Sequence, residues 1–374
     1  MKKHSSVLML KLGGIGDVVT LTPAARAFRK SFPDSFITLC AEKTPSELVA
    51  SSGLFDEIIC FDDLFRCQNY LQFLAPRMLL RIKEFVSQIR GRRYDLYLDF
   101  HDLYYFSTIF KPWFVGLASG ARERIGLDTD HRGFFLHKRI PTQTYGYDHM
   151  IDRCLRVVEA AGAMPDGRHT QIWLQKKDRK FASSFFQTRG LSLSSQKIFC
   201  LHPGANIDFP LKFWPLDKFI NVAVQLVKSY SAKILLVGGK TDEPLANKLC
   251  EALGSDAVNA AGSTSIGQLG ALIERCHFYL GADTGPLHMA VALGVPTVGI
   301  FGPGNYPAYG TYGDGYSYYH PIWHEVPEFP WTRGKKVRGN PYMDAVSVEE
   351  VIEACEKQIR LFVLESKTKV RDMA

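Results

Sequence analysis

The chain has 374 residues, 46% hydrophobic and 22% charged, with 45 Lys and Arg against 38 Asp and Glu for a formal net charge of +7. Such an apolar fraction excludes a disordered, collagenous or coiled-coil protein, and the length predicts two domains, since single cores stop growing near about 250–300 residues. The positive excess suits an anionic substrate or a membrane surface and is too small to imply nucleic acid. No apolar run reaches the roughly 18 residues that cross a bilayer. After Met1-Lys2-Lys3 the apolar stretch lasts only from Val7 to Leu10 before Lys11 breaks it, too short for a signal peptide, so a cytoplasmic protein is expected. The eight cysteines form no C-x-x-C pair and read as buried, reduced thiols rather than a disulfide framework or zinc site.

In chain order, apolar runs at residues 7–12, 36–40, 57–61 and 96–100 read as strands, separated by segments of helical period. A second series stands at 197–201, 232–237, 278–281 and 296–301. Between its members lie amphipathic helices, such as 217–230 with Phe219, Val222, Ala223 and Leu226 on one face. This alternation predicts parallel sheets covered by helices. The expected architecture is α/β, with two doubly wound domains, residues 1–170 and 171–374, facing a central cleft and binding ligands at the carboxyl ends of their strands. Ser347 and Glu350 form an S-x-x-E capping box for a last helix within 347–364, whose packing back on the N-terminal domain is left open.

The first strand runs into Leu12-Gly13-Gly14-Ile15-Gly16-Asp17 and then a helix. Glycines at such a turn let the backbone approach a ligand, and a helix N-terminus attracts anions. Asp17 reads equally as the helix cap, and it can serve both purposes only if its second oxygen faces the cleft. In the second half, strand 197–201 leads to His202-Pro203-Gly204-Ala205 and then Lys212-Phe213-Trp214-Pro215, where Lys212 is a point charge suited to phosphate and Pro215 opens a helix. Strand 232–237 leads to Gly238-Gly239-Lys240-Thr241-Asp242-Glu243, whose acids suit ribose hydroxyls or a helix cap. The densest string is Gly281-Ala282-Asp283-Thr284-Gly285-Pro286-Leu287-His288, a strand end followed by a helix start whose free amides converge on one spot. Phe301-Gly302-Pro303-Gly304 adds a further glycine turn. Four such turns in one half indicate a nucleotide-sized ligand. Asp128-Thr129-Asp130 has the D-x-D form of a metal site but reads as a polar loop with no strand before it. The basic helix 77–93, with Met78, Ile82, Phe85 and Ile89 on one face and Arg77 and Arg81 elsewhere, covers a sheet or, with aromatics at 104–106 and 113–114, meets a membrane interface.

Taken together, Lys11 to Val19 with Thr22-Pro23-Ala24, Tyr94-Asp95-Leu96 with Asp99, Arg124-Ile125-Gly126, the His202 and Lys212 strings, Asp283 to His288 with Phe301-Gly302-Pro303, and the closing run 346–351 resemble the motifs of the glycosyltransferase family 9 heptosyltransferases, in family order. The resemblance implies a GT-B fold of two Rossmann-like domains, acceptor-binding then nucleotide-sugar-binding, and an inverting, metal-independent transfer with no cofactor. It implies ADP-heptose as donor and the lipopolysaccharide inner core, a lipid-linked anionic glycan at the cytoplasmic membrane face, as acceptor. By the same resemblance Asp17 is the base on the acceptor hydroxyl, with Gly14, Gly16, Asp99 and Arg124 beside the acceptor. Lys212 holds the donor diphosphate, Asp283 the donor sugar, Asp242 or Glu243 the ribose, and Thr284 and Gly285 the leaving diphosphate, with His202, Gly204 and Gly302 in the donor site. Family members often carry threonine where this chain has Gly304. The alternatives are hexosyl transfer from another nucleotide sugar on the same fold, a nucleotide-sugar epimerase, or a non-catalytic nucleotide-binding protein.

Overall fold

The structure, a computed structural model, describes residues 4–61, 76–104, 106–143, 148–204, 210–302, 306–310, 312–313, 315–326 and 340–364. The chain divides into two compact units, Met1–Trp173 and Leu174–Ala374. Strands of the first unit are β1 (Ser6–Lys11), β2 (Phe36–Ala41), β3 (Glu57–Cys60), β4 (Leu96–Asp99), β5 (Glu123–Thr129) and β6 (Lys138–Thr142). They form one wholly parallel sheet in the order β3-β2-β1-β4-β5-β6. Strands of the second unit are β7 (Ile198–His202), β8 (Lys233–Leu236), β9 (Ala257–Asn259), β10 (Phe278–Ala282), β11 (Thr297–Ile300) and β12 (Tyr319–Ile322). Their order, β12-β11-β10-β7-β8-β9, is again parallel throughout.

The helices of two turns or more are α1 (Ile15–Ser31), α2 (Pro76–Gly91), α3 (Phe106–Ala118), α4 (Met150–Ala160), α5 (Lys176–Thr188), α6 (Leu216–Tyr230), α7 (Glu243–Leu253), α8 (Ile266–Glu274), α9 (Gly285–Ala292) and α10 (Val348–Ile359). In the first unit α1 and α4 pack together on one face. The other face carries a core in which Phe85 and Ile89 of α2 and Val115 of α3 meet Leu8, Leu10 and Tyr97 of the sheet. Parallel strands buried on both faces read as continuous apolar runs, which is why β1 carries Val7, Leu8, Met9 and Leu10 in succession. In the second unit α6, α7 and α10 share one core with alternate residues of β7, β8, β10 and β11. Phe219, Val222, Ala223 and Leu226 of α6 are all buried, as the helical period requires.

Four strands depart from the apolar-run reading: β5, β6, β9 and β12. Three are sheet edges, where charge and proline are tolerated: β6 (Lys-Arg-Ile-Pro-Thr) carries both signals and β12 (Tyr-His-Pro-Ile) the proline. One consequence corrects the sequence reading of Asp128-Thr129-Asp130: Asp128 and Thr129 close β5 rather than lying in a loop without a strand. Asp128 Oδ1 there accepts the Gly133 amide at 2.6 Å. The closing helix α10 is capped by Ser347, whose hydroxyl accepts the Glu350 amide at 3.1 Å. Its apolar residues Val351, Cys355 and Ile359 are spent inside the second unit. The cysteine reading holds at Cys40, Cys154, Cys200, Cys276 and Cys355, while Cys60 is exposed and Cys67 lies outside the described residues. No described helix is long and apolar enough to cross a membrane.

Candidate active site

In a doubly wound sheet the strand order reverses at one point, and the loops leaving the carboxyl ends there diverge to leave room for a ligand. In the first sheet that point lies between β1 and β4, and in the second between β7 and β10.

At the first switch point β1 ends at Lys11 and α1 begins at Ile15. Gly13 has φ +131°, and a Cβ on it would lie 2.4 Å from Asp17 Oδ2, so the turn admits only glycine. Asp17 Oδ2 accepts the Gly14 amide at 3.0 Å, making the cap that the spacing suggested. Its other oxygen is not free for a ligand alone: Oδ1 stands 3.3 Å from the Lys11 ammonium, and the side chain is about one quarter exposed. Gly14 is exposed with open space where a Cβ would stand, and Gly16 lies in the first turn of α1.

Asp99 closes β4 and is fully buried. Its Oδ1 meets His101 Nδ1 at 2.7 Å, and His101 Nε2 accepts the Leu12 amide at 2.6 Å, tying β4 to the β1 turn. Asp99 is thus a scaffold for the turn rather than a group open to an acceptor. Arg124 is set apart from this group. It lies at the amino end of β5, with Nε donating to the Phe135 carbonyl at 2.8 Å and a terminal nitrogen 2.9 Å from His137 Nε2. His101 and the buried pair Asp102–Arg153, with an Arg153 nitrogen 2.7 Å from both carboxylate oxygens, escaped the sequence reading, and Lys11 entered it only as the first residue of a motif. Their signal was present: a lysine ending an apolar strand, and His-Asp directly after the fourth.

At the second switch point Lys212 donates to the Asp283 carboxylate and, at 3.3 Å, to the Asp283 carbonyl. An ammonium has three N–H donors, so one is left for a further acceptor among the described residues. Asp283 Oδ1 also faces His288 Nε2 at 3.4 Å, and His288 Nδ1 meets the Tyr312 hydroxyl at 2.6 Å. Burial pushes the Asp283 carboxyl up, but the Lys212 ammonium and His288 outweigh it and hold the group well below the usual carboxylate range. Thr284 caps α9 through its backbone alone, and the amides of Thr284 and Gly285 have no hydrogen-bond partner among the described residues. Two free amides, a helix N-terminus and a lysine form a site for an anion.

Several expected donor contacts have structural duties instead. His202 is buried, with Nδ1 3.0 Å from the Thr284 hydroxyl and Nε2 3.2 Å from Asp242 Oδ2, so both ring nitrogens are engaged. Asp242 is buried and its Oδ2 accepts the Gly239 amide at 2.8 Å. A Cβ on Gly204 would lie 2.0 Å from Asp242 Oδ1, and one on Gly302 would lie 2.6 Å from the Leu211 carbonyl oxygen. Those two glycines let the loops close on Asp242 and on the turn bearing Lys212. Glu243, by contrast, is exposed at the start of α7. Pro215 stands one position earlier than read, as the cap of α6. Ala205, Pro203's successor beyond Gly204, and residues 303–305, Gly304 included, lie outside the described residues.

The basic helix α2 turns Ile82, Phe85 and Ile89 to the sheet and exposes Arg81, Lys83 and Arg90. Leu79 and Leu80 are also more than half exposed, while the side chains of Arg77 and Met78 lie outside the described residues.

The family model of glycosyltransferase family 9 (heptosyltransferase) matches residues 82–329. Lipopolysaccharide heptosyltransferase 3 of Escherichia coli is 21% identical over 351 residues, covering 91% of this chain and 96% of the relative. Among solved structures, a family 9 glycosyltransferase from Veillonella parvula superposes with a TM-score of 0.76 at 21% identity, covering 96% of this chain and 98% of the other. The E. coli heptosyltransferase WaaC, solved with ADP, gives a TM-score of 0.70 at 16% identity, covering 94% and 99%. The fold is the GT-B fold of these enzymes. With the family model matching more than half of the chain, the protein belongs to glycosyltransferase family 9, the heptosyltransferases.

Proposed function

We propose that the enzyme transfers a heptose from ADP-heptose, with inversion and without a metal ion, to a sugar hydroxyl of a lipopolysaccharide inner core or related lipid-linked anionic glycan at the cytoplasmic face of the inner membrane. The observation that carries this reading is the Lys212–Asp283 pair beside the free amides of Thr284 and Gly285. Lys212 and the α9 N-terminus supply the positive potential that a leaving ADP needs, a role that a divalent cation fills in other transferases. Asp283 fixes Lys212 and faces the donor sugar, and Glu243 takes the ribose. In the first unit, Asp17 accepts the proton of the acceptor hydroxyl as that oxygen attacks the anomeric carbon and the bond to ADP breaks. Gly14, exposed at the same turn, leaves room for the acceptor. The names of the relatives, lipopolysaccharide heptosyltransferase among them, and the ADP bound by WaaC support the choice of donor and acceptor class. Leu79 and Leu80, exposed near Arg81 and Lys83, are where we place contact with an anionic bilayer.

One set of measurements tests the reading: ADP, UDP and GDP titrations with and without Mg²⁺, and turnover of ADP-heptose with an inner-core acceptor, on the wild type, Lys212→Ala and Asp17→Ala. ADP should bind without Mg²⁺. Losing a charged hydrogen bond of about 1.5–3 kcal/mol should weaken ADP by about 10- to 150-fold in Lys212→Ala. Asp17→Ala should lose turnover and keep ADP affinity. Preference for UDP or GDP would move the donor to a hexose nucleotide, and loss of ADP binding in a folded Asp17→Ala would sink the division of labour. Pelleting of the wild type with anionic vesicles checks the membrane contact.

A further inference from the structure

The Lys11 ammonium lies beneath the turn that carries Asp17, and its side chain is only 2% exposed. It donates to the Phe100 carbonyl at 2.9 Å, lies 3.5 Å from Met150 Sδ, and stands 3.3 Å from Asp17 Oδ1. A lysine at a strand end ordinarily snorkels its charge into water, because a buried ammonium is costly unless paired. This one stays in. Burial works to lower its pKa, but the neighbouring acids, Asp17 foremost, outweigh that and leave it above its ordinary value, so it is charged at any working pH.

The geometry matters because an aspartate's terminal torsion is broad, and a carboxylate held at one oxygen swings about that contact. Asp17 is held at two: Oδ2 by the Gly14 amide and Oδ1 by Lys11. The backbone contact fixes where the carboxylate sits, and the ammonium fixes how its plane is turned. We infer that Lys11 is a positioning residue of the transfer reaction, acting through Asp17 to hold the carboxylate plane toward the acceptor hydroxyl. This rests on the reading of Asp17 as the group that engages the acceptor.

The test uses the full chain in the turnover assay, with Lys11→Met, Lys11→Arg, Asp17→Asn and the Lys11→Met/Asp17→Asn double variant. ADP affinity serves as the check on the fold. Lys11→Met removes the buried charge and leaves Asp17, itself partly exposed, to be solvated, so the variant should fold. Lys11→Gln is read in its place if it does not. Because a misplacement of about 1 Å can cost roughly 10²-fold, kcat should fall about 10- to 100-fold, with acceptor KM and ADP affinity within about threefold of wild type. Lys11→Arg should recover most of the loss. Asp17→Asn should lose about 10²–10⁴-fold, and adding Lys11→Met to it should cost nothing more.

A wild-type kcat in folded Lys11→Met, a loss that multiplies with that of Asp17→Asn, or a matching loss of ADP affinity would each overturn the inference. Failure of both Lys11→Met and Lys11→Gln to fold would also overturn it, by making Lys11 a residue of the core alone. If Asp17→Asn keeps full turnover, the reading of Asp17 itself falls. If Asp17→Asn is inactive while Lys11→Met is unimpaired, only the Lys11 inference falls.

Discussion

Asp283 shows how a single carboxylate is set by what stands behind it. The acceptor-only carboxylate faces His288 Nε2, so that nitrogen carries the proton, and Nδ1 is left to accept from the Tyr312 hydroxyl at 2.6 Å. Burial raises the Tyr312 phenol far above its ordinary pKa, so it stays a neutral donor. Tyr312 therefore sets the tautomer that points a proton at Asp283, which in turn holds Lys212. Tyr312→Phe keeps the ring contacts to Tyr316 and Tyr319 and removes the hydroxyl that bonds His288. We expect ADP affinity to fall about 3- to 10-fold with stability reduced by about 1 kcal/mol, read by calorimetric titration and urea unfolding. Unchanged ADP affinity would mean that His288 keeps its orientation without the phenol. Of this chain of contacts, Lys212 and Asp283 stand out in the sequence because one precedes a helix start and the other follows a strand end. Tyr312 does not, since it reaches His288 across 24 residues and belongs to a tyrosine-rich run in which no single member is marked.

At the scale of elements, the glycine turns divide by what fills the space around them. Five strand-end turns were legible because glycine after an apolar run is a strong punctuation mark. Composition does not say whether a glycine makes room for a ligand or for the protein itself. Gly204 makes room for Asp242: a Cβ there would overlap Oδ1 at 2.0 Å, and Asp242 is pinned to Gly239 and His202. Gly204→Ala must therefore displace a buried carboxylate and should cost about 1–3 kcal/mol in urea unfolding. Gly14, whose Cβ would meet nothing within 4 Å, has an extended backbone. Gly14→Ala should stay within about 0.5 kcal/mol of wild type and act, if at all, on acceptor KM. Equal destabilisation by the two would contradict this division. The same limit explains the strands that periodicity overlooks. The central strands are apolar on both faces, whereas β5 starts with Glu-Arg and ends with Asp-Thr, and the edges β6 and β12 contain proline, so their strand character comes from neighbours in the sheet.

Across the whole molecule, histidines beside cations, the half-buried His277 and His320 foremost, give stability a direction in pH. His169, largely exposed, is shifted below its ordinary value by partial desolvation and by Arg26, and contributes least. Burial and Lys197 lower His277, and burial and Lys357 lower His320 against a smaller opposing pull from Glu350. For His277 the neutral form is also in use, because Nδ1 accepts the Ile198 amide at 3.1 Å where β7 begins. In the unfolded chain these groups take up protons near pH 6.5, whereas in the folded chain they resist until the pH is lower. The unfolded state thus binds more protons in that window, so stability is fully present above about pH 6.5 and declines as the pH falls through the depressed folded values. Asp283, depressed among carboxylates, acts in the same direction only below about pH 4, so it leaves the upper window to the histidines. Urea midpoints should accordingly fall between pH 7 and 5 at constant ionic strength. His277→Gln, which keeps an acceptor for the Ile198 amide but cannot titrate, should flatten part of that slope. A midpoint that is level or rises on acidification would show that protonation of these histidines is not what the folded chain resists.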